Sequence, residues 1–264
     1  MILTDDPDYD FRMEYYNSDG SGGMMCGNGG RCIVAFADAL GLTPADGSGV
    51  FRFVAADGPH TGEILSRAGD CKTVRLRMTD VRTFHRELDG WFLDTGTRHF
   101  VRFVPDADAV DVEEEGRRAR WDPVFAPVGA NANFVSVDPD GTLRVRTFEK
   151  GVEAETLACG TGITAAAVAA ALEYGGISPE PPAAINPFPT LLAQSPGAGR
   201  SADADFAALK AGGGIHIPLP HASAASEPIR YSIQARIARL EVEFRVGRDC
   251  FTDVYLTGPA DEVR

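Results

Sequence analysis

Cys26-Gly27-Asn28-Gly29 returns as Cys159-Gly160-Thr161-Gly162, and this internal repeat decides how the 264-residue chain is read. Upstream of the first copy runs Phe11-Arg12-Met13-Glu14-Tyr15-Tyr16, and upstream of the second runs Leu143-Arg144-Val145-Arg146-Thr147-Phe148. Both alternate with the period of two that marks a strand. Downstream, Ile33, Val34, Phe36, Ala37 and Leu40 recur at helical spacing, with Gly41 and Pro44 as stop signals. The second copy leads into residues 163–172, a run with almost no polar side chain, which implies a helix buried on most sides and ended by Gly175 and Gly176. Strand, glycine-bearing loop opening on Cys, and buried helix therefore occur twice.

The fold class that follows is α/β (α+β): two pseudo-symmetric halves, each a strand-rich mixed sheet wrapped around a central buried helix. Further strands are expected at residues 51–55, 74–78, 100–104 and 133–137, with Asp138-Pro139-Asp140-Gly141 turning into the strand at 143–148. Strand character resumes at 231–246 and 253–256. Residues 1–84 form the first half and 247–264 return to it; residues 85–246 form the second. Within the second half, residues 175–228 hold more than half of the chain's 17 prolines among clustered Ala, Gly and Ser. That stretch is read as an extended surface insertion with a modest helix at 202–211.

Composition narrows the function classes. A hydrophobic content of 44% suits a globular domain with a sizeable core, and the net charge of -13 disfavours a nucleic-acid partner. The longest apolar helical run is far shorter than the roughly 20 residues that span a bilayer. No secretory signal opens the chain, so it reads as cytoplasmic, without membrane contact. The five cysteines match no zinc ligand spacing, so thiols are expected and no metal.

The repeat itself carries chemistry. Removing a proton from the α-carbon of an amino acid leaves a poorly stabilised carbanion, which many enzymes delocalise into pyridoxal phosphate. No site for that cofactor is legible here, and none is expected. The alternative is to hold the substrate carboxylate against helix N-termini, whose N–H groups and dipole stabilise the enolate charge. Each Cys-Gly-x-Gly loop supplies one terminus, and the same position favours a thiolate. One Cys on each face of the α-carbon inverts the centre: one removes the proton and the other delivers a new one. A lone cysteine in such a chain is usually a small buried hydrophobe, and that reading is kept for Cys32, Cys71 and Cys250. Cys26 and Cys159, at equivalent places in a duplicated loop, are the candidate acid/base pair.

At these loops the sequence resembles a known family. Asn17-Ser18-Asp19-Gly20, Met25-Cys26-Gly27-Asn28-Gly29-Gly30-Arg31-Cys32 and Glu155-Thr156-Leu157-Ala158-Cys159-Gly160-Thr161-Gly162 are similar to the two signatures of diaminopimelate epimerases. The similarity runs from residue 1 to about 174 and resumes near 230. It implies interconversion of LL- and meso-2,6-diaminoheptanedioate, on the route to lysine and peptidoglycan, by a homodimer that needs no cofactor. Cys26 and Cys159 match the acid/base pair. Gly27, Asn28, Gly160 and Thr161 match the loops that hold the α-carboxylate. Asn17 and Asn131 match substrate-binding asparagines, Glu149 matches the acidic residue near the reacting amine, and His99 falls where the family has a histidine beside the pair. Taken singly, each has a plainer reading: the asparagines as turn formers, His99 as a structural histidine, Glu149 as a solvent-facing strand residue.

Three departures accompany the resemblance. Lys150 stands where the family usually has an arginine for the distal carboxylate, and an ammonium is a poorer fork than a guanidinium. Thr97-Arg98-His99 replaces the usual Asn-Pro-His or Ser-Pro-His; Thr97 keeps one hydrogen-bond donor, but the stiff proline is gone. The chain also begins inside the family pattern, without the Gly-Asn-Asp-Phe segment and glycine-rich loop that precede it in relatives, so a family segment upstream is expected. The nearest alternative is a proline-racemase-like enzyme, whose first loop typically reads Cys-Gly-His; another is a catalytically impaired truncated homologue that only binds or scaffolds.

Overall fold

The computed structural model describes residues 1–16, 20, 22, 26–174 and 227–261. Asn17 and residues 175–226 of the proline-rich stretch, with the helix expected at 202–211, lie outside the described residues. In chain order the elements are β1 (Ile2–Thr4), β2 (Phe11–Glu14), α1 (Gly27–Ala39), β3 (Val50–Ala55), β4 (Gly58–Ala68), β5 (Cys71–Arg77), β6 (Thr83–Glu87), β7 (Gly90–Asp94) and β8 (Arg98–Phe103). They continue as α2 (Val112–Arg120), β9 (Asn131–Val137), β10 (Leu143–Glu149), β11 (Ala154–Thr156), α3 (Gly160–Glu173), β12 (Ile229–Gln234), β13 (Arg239–Val246) and β14 (Phe251–Asp261).

The repeat is visible in the strand pairing. β2 lies antiparallel to β1 and parallel to β3, the strand that follows α1; β10 lies antiparallel to β9 and parallel to β12, the first described strand after α3. From β3 and from β12 the chain runs on through two antiparallel partners, β4 and β5 after β3, and β13 and β14 after β12. The two repeat units join where β14 pairs with β5, Leu256 opposite Leu76, so that the ladder is continuous from β1 at one edge to β6 at the other. The second half carries β6, β7 and β8 beyond its repeat unit, with β8 parallel to β9.

Both helices are held by the sheet, α1 by β4, β5 and β14, and α3 chiefly by β7, β8, β9 and β10. α3 is buried along residues 160–171, as its lack of polar side chains predicts, and the small side chains of Ala165-Ala166-Ala167 and Ala169-Ala170-Ala171 let strands approach it on several sides. α1 is amphipathic, burying Ile33, Val34 and Ala37. Its expected apolar face is narrower than the periodicity suggests: Phe36 and Leu40 are 48% and 57% exposed. Spacing identifies a helical face but not whether a neighbour reaches all of it. On β4, a Cβ on Gly62 would meet Val34 Cγ2 at 2.6 Å, so glycine there permits the close seating of α1.

The acidic run at 111–115 turns out to be a helix start. Asp111 caps α2 by accepting the Glu114 N–H at 3.1 Å, Glu113, Glu114 and Glu115 occupy its first turn, and Arg117, Arg118 and Arg120 its last. That order complements the helix dipole, and it buries little beyond Val112, which is why apolar periodicity does not reveal it. No helix among the described residues is long and apolar enough to cross a membrane.

Candidate active site

The two Cys-Gly-x-Gly loops form equivalent helix starts. Cys26 is the N-cap of α1 with φ -116° and ψ 116°, and Cys159 is the N-cap of α3 with φ -113° and ψ 110°. Both carbonyls accept the first helical bond, from Gly30 N at 2.7 Å and from Ile163 N at 2.8 Å. The two N-termini meet at their glycines: a Cβ on Gly160 would lie 2.9 Å from Gly27 Cα, and one on Gly27 would lie 3.2 Å from Gly160 Cα. Only residues without a side chain allow that approach. Asn28 ties the loops together by donating from Nδ2 to the Ala158 carbonyl at 2.7 Å. The first turns of two helices, each capped by a cysteine, thus meet at one place.

The thiols differ in their surroundings. Cys26 is half-buried and accepts the Gly29 N–H at 3.4 Å, while Cys159 is buried and exchanges a 3.4 Å contact with the Thr161 hydroxyl. Burial pushes the Cys159 thiol up to about 12, and the nearby Glu149 carboxylate adds to the rise. The helix N-terminus, expected to favour a thiolate, is outweighed there, so Cys159 is held as the protonated thiol. Glu149 is itself raised by burial, against the pull of the Thr156 and Cys159 side chains.

His99 is fully buried. Its Nδ1 faces Asn133 Nδ2 at 3.1 Å, and because the amide nitrogen donates, the proton of the neutral ring belongs on Nε2. Nε2 lies 3.0 Å from Thr161 Oγ1 and 2.8 Å from Thr97 Oγ1. Burial drives its pKa down to about 3, the Asn133 hydrogen bond opposing and the Lys150 charge assisting, so the ring is neutral near neutral pH. His99 thus positions Thr161, which in turn touches Cys159.

Asn131 occupies both ends of its amide with backbone, donating to the Arg98 carbonyl at 2.9 Å and accepting from Lys150 N at 2.7 Å. It clamps β8 to the end of β10. The structure thus brings together Cys26, Gly27, Asn28, Thr97, His99, Asn131, Glu149, Lys150, Cys159, Gly160 and Thr161 on adjoining loops and strand ends. A cleft of about 540 Å³ lined by Tyr9, Arg52, His60, Arg77 and Asp80 contains neither of the paired cysteines.

Three neighbours were not singled out from the sequence. Tyr15, just after β2, has its phenol pushed up to about 12 chiefly by the adjacent Cys26, with Glu149 and Cys159 adding to the effect. Arg31 is 6% exposed, bonds Asn28 Oδ1 at 3.1 Å, and leaves Nε without a partner among the described residues. Asn133 accepts from Thr147 Oγ1 at 2.9 Å while holding His99. The Asn131-x-Asn133 spacing on one strand puts both amides on one face and could have signalled the second; nothing local signals Tyr15.

Known proteins match this architecture. Residues 91–181 match the sequence model of the family described as diaminopimelate epimerase. A diaminopimelate epimerase of Flavobacterium psychrophilum is 40% identical over 64% of this chain and 63% of its own length, and one of Chlorobaculum tepidum is 40% identical over 64% and 65%. One from Nitratiruptor is 34% identical over 68% of this chain and 67% of its own. The chain spans about two thirds of the length of these curated relatives. Among solved structures, a probable proline racemase of Agrobacterium radiobacter superposes with a TM-score of 0.61 at 16% identity, covering 98% of this chain and 73% of that one. A PhzF-family protein of Bacillus anthracis gives 0.60 at 12%, covering 99% and 81%. These structural likenesses show a shared fold of two halves about a pair of helices, and the sequence relatives supply the lineage: the chain belongs to the diaminopimelate epimerase family.

Proposed function

We propose that this protein is a cofactor-independent amino-acid epimerase that converts LL-2,6-diaminoheptanedioate to the meso form with Cys26 and Cys159 as its two acid/base groups. The observation that carries the reading is the meeting of two equivalent helix N-termini at Gly27 and Gly160, each capped by a cysteine. N–H groups of Gly27, Asn28, Gly160 and Thr161 hold the α-carboxylate. A Cys26 thiolate removes the α-proton; the electron pair of the broken C–H bond passes into the carboxylate as an enediolate, which the helix N-termini stabilise. The Cys159 thiol then protonates the carbon from the opposite face. The thiolate now rests on Cys159 and the thiol on Cys26, and the reverse reaction uses them in exchanged roles.

Glu149 takes the reacting ammonium, Asn17 and Asn131 belong to the substrate site, and Lys150 serves the distal carboxylate. Thr97 and His99 act through Thr161. In this reading the enzyme works in the cytoplasm as a homodimer, supplying lysine and peptidoglycan synthesis. The test is deuterium uptake from solvent at the substrate α-carbon. Exchange with LL-diaminoheptanedioate and none with L-proline is the expected result. Exchange with L-proline alone would transfer the assignment to the racemase reading suggested by the fold neighbours, and exchange with neither would leave a scaffold without activity.

A further inference from the structure

Several strand arginines of the second half meet a carboxylate. Arg102 meets Glu115 at 3.0 Å, Arg144 meets Asp138 at 2.9 Å, and Arg146 meets Glu155 at 2.7 Å. Arg98, at the head of β8, has no ion pair or side-chain hydrogen bond among the described residues, and the same holds for the Lys150 ammonium. These two cations are held beside each other by the Asn131 clamp, which bonds the backbone of both. Arg120 adds a third positive charge nearby, but it is committed to Glu153 at 3.2 Å; Asp94, also nearby, accepts the Gly96 N–H at 3.0 Å. The Lys150 amine is pulled down first by burial and then by the charges of Arg120 and Arg98, with Glu153 and Asp94 opposing.

The place of this pair matters as much as its charge. Arg98 lies between Thr97 and His99, both of which touch Thr161 beside Cys159, and Lys150 follows Glu149, whose charge acts on Cys159. Two unneutralised, half-buried cations next to each other are unfavourable unless an anion joins them. A guanidinium also supplies the planar, two-pronged recognition of a carboxylate that an ammonium lacks.

We propose that Arg98 is a specificity-determining residue: with Lys150 it forms the cationic seat for the second carboxylate of a dicarboxylic amino acid whose α-carbon lies between Cys26 and Cys159. The assignment rests on the proposed function, so its test separates binding from turnover. The full chain is titrated calorimetrically with LL-diaminoheptanedioate and with L-lysine, which has the same carbon chain apart from the missing carboxylate. The wild type is expected to prefer the dicarboxylate by at least about tenfold. Arg98→Gln is expected to weaken that ligand by roughly tenfold to hundredfold, as for a lost charged hydrogen bond, and to leave L-lysine unmoved. Arg98→Lys is expected to restore part of the preference. An unchanged dicarboxylate affinity in Arg98→Gln, an equal loss for both ligands, or a wild type without preference overturns the assignment. Solvent-deuterium exchange by the wild type is scored separately: an Arg98-dependent preference without exchange upholds the seat and removes only the epimerase reading.

Discussion

The loops at Cys26 and Cys159 share a backbone and differ in almost everything around it. Their N-cap dihedrals agree within a few degrees and their glycines face each other. Around Cys26 stand a tyrosine, a buried arginine and solvent; around Cys159 stand a half-buried glutamate, a threonine and a neutral histidine. A duplicated helix start can place two thiols symmetrically, yet the hold of Cys159 on its proton is set by neighbours that are not duplicated. Two-base chemistry needs that inequality, because one thiol must be charged while the other is not.

The comparison is broken most severely by removing either sulfur. Cys26→Ala and Cys159→Ala are each expected to lower α-proton exchange by about a thousandfold or more with the circular dichroism spectrum unchanged, and the double variant to be little worse, since the pair acts as a unit. Full activity in either single variant would end the two-thiol reading. Next comes the contact between the loops. Gly160→Ala drives a Cβ to 2.9 Å from Gly27 Cα, and the helix starts must separate. A loss of about 1–3 kcal/mol in denaturant stability and roughly a hundredfold in exchange rate is expected, because the proposed mechanism needs both thiols at one carbon. Gly27→Ala, at 3.2 Å, is expected to be milder.

The inequality of the thiols is sharpened by titration. With Cys159 raised to about 12, the folded protein keeps a proton that the unfolded chain releases near the ordinary thiol value of about 8.5. Stability from this source is complete below that value and is lost as the pH climbs toward 12. Thermal melts of the wild type and Cys159→Ser across that range should diverge, the serine variant falling less. Iodoacetamide at pH 8, read peptide by peptide, should label Cys26 about tenfold faster than Cys159; the reverse order would contradict the assignment of the buried thiol.

His99 offers a smaller effect of opposite sign. Its folded pKa of about 3 lies below the ordinary 6.5, so the unfolded chain gains a proton that the folded one refuses. That cost appears as pH falls from 6.5 to about 3. His99→Gln should flatten this part of the acid limb and lower exchange by about tenfold through Thr161, without shifting the alkylation order. Smallest of all, Cys71→Ala, outside both loops, should leave exchange unchanged and stability within about 0.5 kcal/mol.

Much of this was legible in the chain. The strands before each loop, the starts of α1 and α3, and the strands at 51–55, 74–78, 100–104 and 133–137 follow from alternation and punctuation that are local in sequence. β4, with Gly62 and His60 inside it, and α2, with one apolar residue at its start, do not announce themselves because their patterns are set by what they pack against. Phe36 reads as core and is exposed for the same reason: no described strand covers that side of α1. In the site, Cys26, Cys159 and the glycines could be named from the motif, whereas Tyr15 and Asn133 acquire their roles only through contacts with residues remote in the chain.

The amino-acid order alone determined that a Cys-capped helix start occurs twice, since caps, glycines and periodicity act over a few residues of chain. Only the tertiary structure decided that Cys159 keeps its proton, that His99 is neutral and that Arg98 stands beside Lys150 without an ion pair among the described residues. Those properties depend on burial and on fields through space between groups brought together by β8, β9, β10 and the two helices, and no local stretch of sequence carries them.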